Sequence, residues 1–189
     1  MDFKDLVRER RSHRAFDTAP VSEEQIRAVI EAGCWAPSPL NLQPWEFIVI
    51  TDPEQKSQIG ATAREAVQRV IDGDGPGWVK KYGLDFLTEA PVLVVVLDDA
   101  SKGGLGFFFD QKLGALQAAS ACIQNMMLAA ADMGFGSLWF TFFSPERLRP
   151  ILGIPDHLEI AGLIPIGKPM GPAKAPPRKE PKIYWERHG

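Results

Sequence analysis

Guanidinium and hydroxyl groups are concentrated in one short segment near the N-terminus, residues 10–14. Arg10, Arg11 and Arg14 offer forked donors that match phosphate oxygens, and Ser12 adds a hydroxyl beside them. A second interpretation stays open, because a basic last turn also complements the negative end of a helix dipole. The segment therefore indicates either a phosphate site or the basic end of a short helix.

A proline-bounded loop carries two side-chain amides and leads directly into an apolar strand. Amides can satisfy both the donor and the acceptor edge of a pyrimidine-like ring. Ordinary turn chemistry explains the same residue types and remains the alternative. Taken with the arginine segment, the loop predicts a planar, phosphorylated cofactor, with candidate contacts from Pro37, Ser38, Pro39, Asn41 and Gln43.

A third candidate is the glycine-rich turn at 134–139, between a predicted helix and a predicted strand. Glycines let backbone N–H groups approach a ligand closely, although they also serve as a simple helix end. The order helix then strand is the reverse of a dinucleotide fingerprint. The candidate contacts here are Gly136, Ser137 and Trp139.

Other kinds of catalytic centre have little support in the sequence. His13, His157 and His188 have no partners at ligand spacing, so no metal site is expected. The only two cysteines, Cys34 and Cys122, lie among apolar residues and are predicted to be buried thiols. Neither serine in the two segments has a histidine and aspartate arranged as a relay.

Length and charge limit the remaining classes. The 189 residues, 45% hydrophobic, fit one domain spanning 1–189. A net charge of -3 argues against a general nucleic-acid or membrane-surface binder. Residues 4–14 carry +3 and residues 168–189 carry +4, so the two basic ends either converge on one anion or serve solubility. The N-terminus lacks a signal-peptide core and no apolar run reaches 18 residues, which predicts a cytoplasmic protein.

Hydrophobic periodicity predicts five helices and four strands in irregular order, hence an α+β protein. A capping box at Ser22 and Gln25 marks the second helix, and Asp52-Pro53 starts the third. The strand over 92–97 is apolar on both faces and should be central. The predicted helices are 2–10, 22–35, 52–71, 110–133 and 144–152, and the predicted strands are 45–51, 92–97, 137–143 and 158–166.

Several segments carry functional expectations of their own. The helix over 110–133 is apolar nearly all round, which suggests that a partner subunit covers one face. Residues 72–77 and 103–106 should be flexible breaks. Asp98-Asp99 is expected to be a solvated turn. Most aromatic residues are expected to lie in the core, and this expectation covers Trp35, Trp45, Trp139 and residues 107–109. Trp78 is the best candidate to face a substrate.

The order of motifs resembles the nitroreductase family of flavoproteins. Residues 10–16 read Arg-Arg-Ser-x-Arg-x-Phe, and 36–49 read Ala-Pro-Ser-x-x-Asn-x-Gln-Pro-Trp-x-Phe-Ile-Val. Gly-Phe-Gly-Ser-Leu-Trp at 134–139 and Gly-Leu-Ile-Pro-Ile-Gly-Lys-Pro at 162–169 follow in the same order. Each motif alone is loose, but the series is specific and covers essentially the whole chain.

The resemblance implies a three-layer α+β homodimer, with a central, mainly antiparallel sheet flanked by helices and two FMN molecules at the subunit interface. It implies that Arg10, Arg11, Ser12 and Arg14 hold the phosphate and the pyrimidine side of the ring. The loop residues Pro37, Ser38, Pro39, Asn41 and Gln43 would come from the partner subunit, and Gly136, Ser137 and Trp139 would lie near the ring or its side chain. Arg178 or Lys179 in the tail would close on the phosphate.

The implied activity needs no catalytic side chain, because the flavin carries the chemistry and Arg14 tunes it. The leading hypothesis is ping-pong transfer of hydride from NAD(P)H through FMN to nitroaromatic, quinone or similar acceptors. Acceptor specificity would come from 72–88 and 101–109. The alternatives are a reductive dehalogenase or flavin-modifying enzyme on the same fold, a non-enzymatic flavin-binding redox sensor, and a plain anion-binding scaffold without flavin.

Overall fold

The core of the fold is a four-stranded antiparallel sheet, seen in a computed structural model that describes residues 2–188. The strands follow the order β1-β2-β4-β3 across the sheet. This confirms the α+β class and the mainly antiparallel sheet. Within the described residues the strands are β1 (Trp45–Ile50), β2 (Val92–Asp99), β3 (Gly136–Ser137) and β4 (Leu158–Gly167).

Strand β2 occupies the centre of the sheet, as predicted. It pairs with β1 on one side and β4 on the other, and all eight of its residues are buried. A run of Val and Leu suits this position because both faces of the strand contact helices. The register with β4 shifts between Val96 and Leu97, where β4 contains one additional residue.

Helices cover both faces of the sheet and make three layers. Val94 and Val96 of β2 pack on one face with Ile26 and Ile123, whereas Leu93 and Leu97 pack on the other with Ile59 and Leu148. The first face is therefore covered by α2 and α5, and the second by α3, α4 and α6. The helices are α1 (Phe3–Glu9), α2 (Glu23–Cys34), α3 (Pro53–Asp72), α4 (Phe86–Glu89), α5 (Gly114–Asp132) and α6 (Pro145–Leu152).

The helix starts follow from local sequence. Ser22 and Gln25 form the capping box in both directions, with the Gln25 N–H on Ser22 Oγ and the Ser22 N–H on Gln25 Oε1. Asp52 caps α3 by accepting from the Gln55 N–H, and Pro53 occupies the first helical position. Both predicted starts are confirmed.

The strand predicted over 137–143 is wrong. Only Gly136–Ser137 pair as a strand, and beyond them Phe140 makes an isolated bridge to Leu163. The aromatic side chains of this segment pack into the interior instead of alternating across a sheet. Phe140 is fully buried, and Trp139 Nε1 donates to the Ala161 carbonyl at 3.1 Å. Aromatic residues favour strands because they pack well, and here they pack without a ladder.

The longest helix begins later than predicted, at Gly114 rather than at residue 110. Two 3-10 turns, Ala100–Lys102 and Gly104–Phe109, fill the segment that was expected to be a flexible break. The expected core position of 107–109 is also wrong, because these three phenylalanines are 68–79% exposed. Trp35, at 82% exposure, departs from the same expectation.

Asp98 and Asp99 are buried strand residues rather than a solvated turn, which corrects the sequence prediction. Asp98 is only 3% exposed, and its Oδ1 has no hydrogen-bond partner among residues 2–188. Burial, with smaller effects from Glu159 and Asp99, raises the pKa of Asp98 from its ordinary 3.8 to about 6. The charged form of this carboxyl therefore costs stability at neutral pH.

Replacing Asp98 with Asn is expected to stabilise the fold at neutral pH. The pKa of Asp98 is higher in the folded protein than in the unfolded chain. The contribution of the protonated carboxyl to stability is therefore fully present below pH 3.8 and is lost as the pH rises through about 6. We expect Asp98→Asn to raise the free energy of unfolding by about 2–3 kcal/mol at neutral pH and by little near about pH 4. Urea unfolding at both pH values measures the difference, with exposed Asp85→Asn as the control. An equal gain at both values would contradict the explanation by burial.

Candidate functional site

Residues 11–16 run extended beside β3, and this sets the directions of the predicted phosphate ligands. The His13 N–H donates to the Ser137 carbonyl at 2.9 Å, and Ser12 forms a parallel bridge with Ser137. Side chains alternate along an extended chain. Ser12 and Arg14 are accordingly exposed, while Arg11 and His13 are half-buried. The arginine segment therefore presents two faces rather than one cluster.

Arg10 is a half-buried cation at the end of α1. Its Nη1 atom is buried and makes no hydrogen bond within residues 2–188. Burial lowers the pKa of Arg10, and the nearby charges of Arg178 and Arg11 lower it further. A small cavity of about 170 Å³ adjoins it, lined in part by His13 and Ser137. An unsatisfied guanidinium beside a second cation fits an anion such as a phosphate group.

Arg11 has a different role in the structure. Its Nη1 donates to the carbonyl of Arg8 and, at 2.8 Å, to that of Arg10. Both acceptors are orphan carbonyls at the C-terminal end of α1. The alternative interpretation of the arginine segment, a basic helix end, therefore describes Arg11, whereas the phosphate interpretation fits Arg10.

His13 packs tightly against the turn that contains Gly136. A Cβ atom on Gly136 would lie 2.9 Å from the imidazole, so glycine is needed there for the histidine rather than for a ligand. Burial lowers the pKa of His13, with further contributions from Arg10 and Arg11.

Trp139 also has protein partners, since its indole covers Gly162 and donates to the Ala161 carbonyl.

The amide-bearing loop has a strained backbone. Leu40, Asn41 and Gln43 have φ values of 51°, 55° and 45°, in the left-handed region that non-glycine residues rarely occupy. Ser38 Oγ accepts from the Gln43 N–H at 3.1 Å, and Gln43 Nε2 donates to Asn41 Oδ1 at 3.3 Å. Such strain persists only where the surrounding structure imposes it, and it clusters at ligand sites.

The loop and Arg10 lie at opposite ends of α5. Pro39 contacts Gly104 and lines a cavity with Gln117, near the start of the helix. The cavity beside Arg10 is lined by Ala131, near its end. The rise of an α-helix separates positions 117 and 131 by about 20 Å. Within one chain, the loop and Arg10 therefore border different ends of this helix.

The tail passes over the exposed face of the arginine segment. The Met170 N–H donates to the Ala15 carbonyl at 3.0 Å. Ser12, Arg14 and Lys174 line a cavity of about 340 Å³ between the two segments. Of the two tail candidates, Arg178 lies close enough to influence Arg10, whereas Lys179 is exposed and has no ion-pair partner among residues 2–188.

Tyr82 is the contact that sequence reasoning missed. The Arg14 guanidinium lies 5.7 Å from the centre of the Tyr82 ring, within cation–π range. Residues 78–82 are rich in aromatic and basic side chains, and this composition could have indicated Tyr82 as well. The sequence prediction named only Trp78.

Metal chemistry has no support in the described residues. Within 2–188 no group of three His, Cys, Asp or Glu side chains is placed to hold a metal ion. Burial raises the pKa of the Cys122 thiol to about 12, as expected for a buried thiol, while Cys34 is half-buried. No described helix is long and apolar enough to cross a membrane.

Comparison with known proteins gives a consistent family relationship. The model of the nitroreductase family matches residues 7–168. The NADH dehydrogenase of Thermus thermophilus is 30% identical, with 89% of this chain and 87% of that protein covered. Iodotyrosine deiodinase 1 of Rattus norvegicus is 31% identical, with coverage of 94% and 66%. A crystal structure of oxidized iodotyrosine deiodinase bound to FMN and 3-iodo-L-tyrosine superposes with a TM-score of 0.86 at 22% identity, covering 98% of this chain and 99% of that one.

The His13 side chain should report binding of an anion at Arg10. We expect its pKa to lie below 6.5 in protein dialysed free of phosphate, and to rise when added inorganic phosphate neutralises the neighbouring cations. Arg10→Gln should also raise it, by removing one of those cations. An NMR titration of the imidazole Cε1 proton measures the pKa, with His13→Gln for assignment and His157 as the internal control. A His13 titration that saturating phosphate leaves unchanged would place the anion elsewhere.

Proposed function

Because the chain belongs to the nitroreductase family, we propose that it is an FMN-dependent oxidoreductase that passes electrons from NAD(P)H to nitroaromatic, quinone or similar electron-poor acceptors. FMN supplies the hydride chemistry when bound, and the protein binds, orients and tunes it. The observation that carries this proposal is the buried Nη1 of Arg10, which has no hydrogen-bond partner within residues 2–188 and has Arg178 close by. The FMN phosphate would supply the missing acceptor and the missing negative charge.

The exposed residues of the arginine segment would contact the rest of the cofactor. Ser12 offers a hydroxyl on the same face as Arg14, within the cavity that the tail closes. Arg14 would stabilise negative charge on the pyrimidine side of the ring, since its guanidinium is exposed and is oriented by Tyr82. The peptide backbone at Gly136 and Ser137 would border the ring, because Gly136 has no side chain and Ser137 is buried.

The second half of the site would come from a second copy of the chain. The separation along α5 keeps Asn41 and Gln43 away from their own Arg10, while the apolar side chains around the loop are unusually exposed. Trp35 is 82% and Leu40 67% exposed, and Leu113 and Leu116 at the start of α5 are exposed as well. Exposed apolar patches of this kind mark interaction surfaces. A two-fold homodimer would cover them and bring Pro37, Ser38, Pro39, Asn41 and Gln43 to the partner's flavin.

Reductive dehalogenation is the second candidate. It is favoured by the rat deiodinase relative, which is 31% identical over 94% of this chain. The same phosphate contacts and the same partner loop would serve either reaction, because the difference lies in which acceptor fits against the ring. The acceptor therefore has to be decided by assay.

The protein should purify yellow, or become yellow with FMN, and NADPH or NADH should bleach it. The expected result under anaerobic conditions is loss of flavin absorbance near about 450 nm and recovery on addition of a nitroaromatic or a quinone. Parallel lines in double-reciprocal plots would report ping-pong kinetics. Dehalogenation is assayed in parallel. Protein reduced with dithionite is mixed with 3-iodotyrosine, and the release of iodide is measured.

Each other outcome selects a different interpretation. If neither NADPH nor NADH bleaches the yellow protein, but the dithionite-reduced protein releases iodide from 3-iodotyrosine, the result favours the dehalogenase. Yellow protein inert in both assays favours a redox sensor. Colourless protein that refuses added FMN contradicts the proposal.

Mixing two defective variants should restore sites if each site uses two chains. Arg10→Gln should weaken FMN binding from one side, and Asn41→Ala from the other. In a mixed dimer, one of the two sites joins a native Arg10 to a native Asn41, and the other carries both changes. After unfolding and refolding an equal mixture, we expect about a quarter of the sites to bind FMN with native affinity. Refolding each variant alone is the control, and no recovery in the mixture would mean that both residues act within one chain.

A further inference from the structure

An aromatic turn connects Arg14 to an exposed surface that lies outside the proposed FMN contacts. The turn is the 3-10 segment Gly77–Lys81, followed by Tyr82. Tyr82, which holds the Arg14 guanidinium over its ring, packs edge-on against Trp78 with centroids 5.8 Å apart. It also contacts Phe142 at 6.2 Å and Phe86 at 6.5 Å. Trp78 is therefore coupled to Arg14 through one shared ring.

The turn is anchored to the body of the protein through Val79 and α3. Val79 is 2% exposed, and the turn packs against α3. The flanking residues Trp78, Lys80 and Lys81 point outward, with Trp78 60% exposed. A large indole left in water beside a candidate site offers a flat apolar surface, and its neighbours offer charge.

Lys80 and Lys81 add positive charge to the exposed side of the turn. Among residues 2–188 neither Lys80 nor Lys81 forms an ion pair, and Asp74 and Asp85, which flank the turn in sequence, make none with them. Arg14 adds a third positive side chain close to this turn, because its guanidinium lies over Tyr82. A planar aromatic molecule with a negative substituent complements this surface by stacking and by charge.

We propose that residues 78–82 form the wall of the acceptor site and select aromatic acceptors that bear an anionic group, such as a carboxylate or sulfonate, over neutral isosteres. Trp78 stacks on the acceptor ring, and Lys80 and Lys81 bind its negative group. This inference rests on the proposed function and narrows its substrate class. For a nitroaromatic acceptor, the nitro group takes up a hydride and one proton, loses one oxygen as water and becomes nitroso, while NAD(P)H is oxidised to NAD(P)+.

The test compares 4-nitrobenzoate with its neutral isostere 4-nitrobenzamide. The two compounds differ in intrinsic reactivity, so each protein is described by a ratio, kcat/KM for 4-nitrobenzoate over kcat/KM for 4-nitrobenzamide. The ratio of each variant is then divided by the ratio of the native protein. We expect the double change Lys80→Gln with Lys81→Gln to lower this ratio by about five- to tenfold. Arg27→Gln, which removes an exposed cation from α2 on the other face of the sheet, is the matched control and should leave it unchanged.

A second variant tests the stacking surface. Trp78→Ala should raise KM for both acceptors, and Trp78→Phe should recover most of the loss. A KM that Trp78→Ala leaves unchanged would overturn the assignment of the wall. A ratio that the double lysine variant leaves unchanged would overturn the selection for anions.

Equilibrium binding gives a readout independent of turnover. Calorimetric titration of oxidised holoprotein with 4-nitrobenzoate should show weaker binding in the double lysine variant and a decrease with added salt. If native protein fails to be bleached by NAD(P)H but this difference in binding persists, the proposed electron donor fails and the acceptor surface stands. If bleaching is native and the difference is absent, only the present inference fails.

Discussion

The length of α5 is the constraint on which the candidate site depends. The helix lies across one face of the sheet, and a glycine in α2 allows the two helices to approach closely, since a Cβ on Gly33 would lie 2.6 Å from Met126 and 2.9 Å from Cys122. Because α2 leads directly into the loop at 37–43, this contact fixes the loop near the start of α5. The end of α5 borders the cavity beside Arg10. The loop and Arg10 therefore lie near helix positions, Gln117 and Ala131, that are about 20 Å apart along the axis of α5.

The parts of the fold that were predictable from sequence are those with local causes. Ser22 and Asp52 cap helices through side chains that bond within their own first turn, so short sequence patterns suffice. The strand over 137–143 and the placement of Asp98 depended on long-range packing. Nothing in the local pattern shows that Phe140 packs against Phe86, or that a carboxyl at the end of a strand is covered by its neighbours.

The candidate site divides in the same way. Arg10 and the loop amides became candidates through residue type alone, because guanidinium groups match phosphate oxygens and amides match the edges of a pyrimidine-like ring. The separate role of Arg11 required the position of the α1 carbonyls, and the need for Gly136 required the position of the His13 ring. Tyr82 reaches Arg14 across a sequence distance that no motif spans.

The surplus of positive charge near Arg10 has an energetic consequence for a cofactor-dependent protein. Arg178 and Arg11 raise the cost of holding Arg10 charged and half-buried, so the ligand-free state retains repulsion that a phosphate would remove. An anion that binds only the folded state stabilises it in proportion to the logarithm of its concentration over its dissociation constant. The same charges that select a phosphorylated ligand thus couple its binding to the stability of the fold. If Arg10 holds the FMN phosphate as proposed, the mutual repulsion of these cations makes the site least stable without its anion, and this would favour retention of the cofactor.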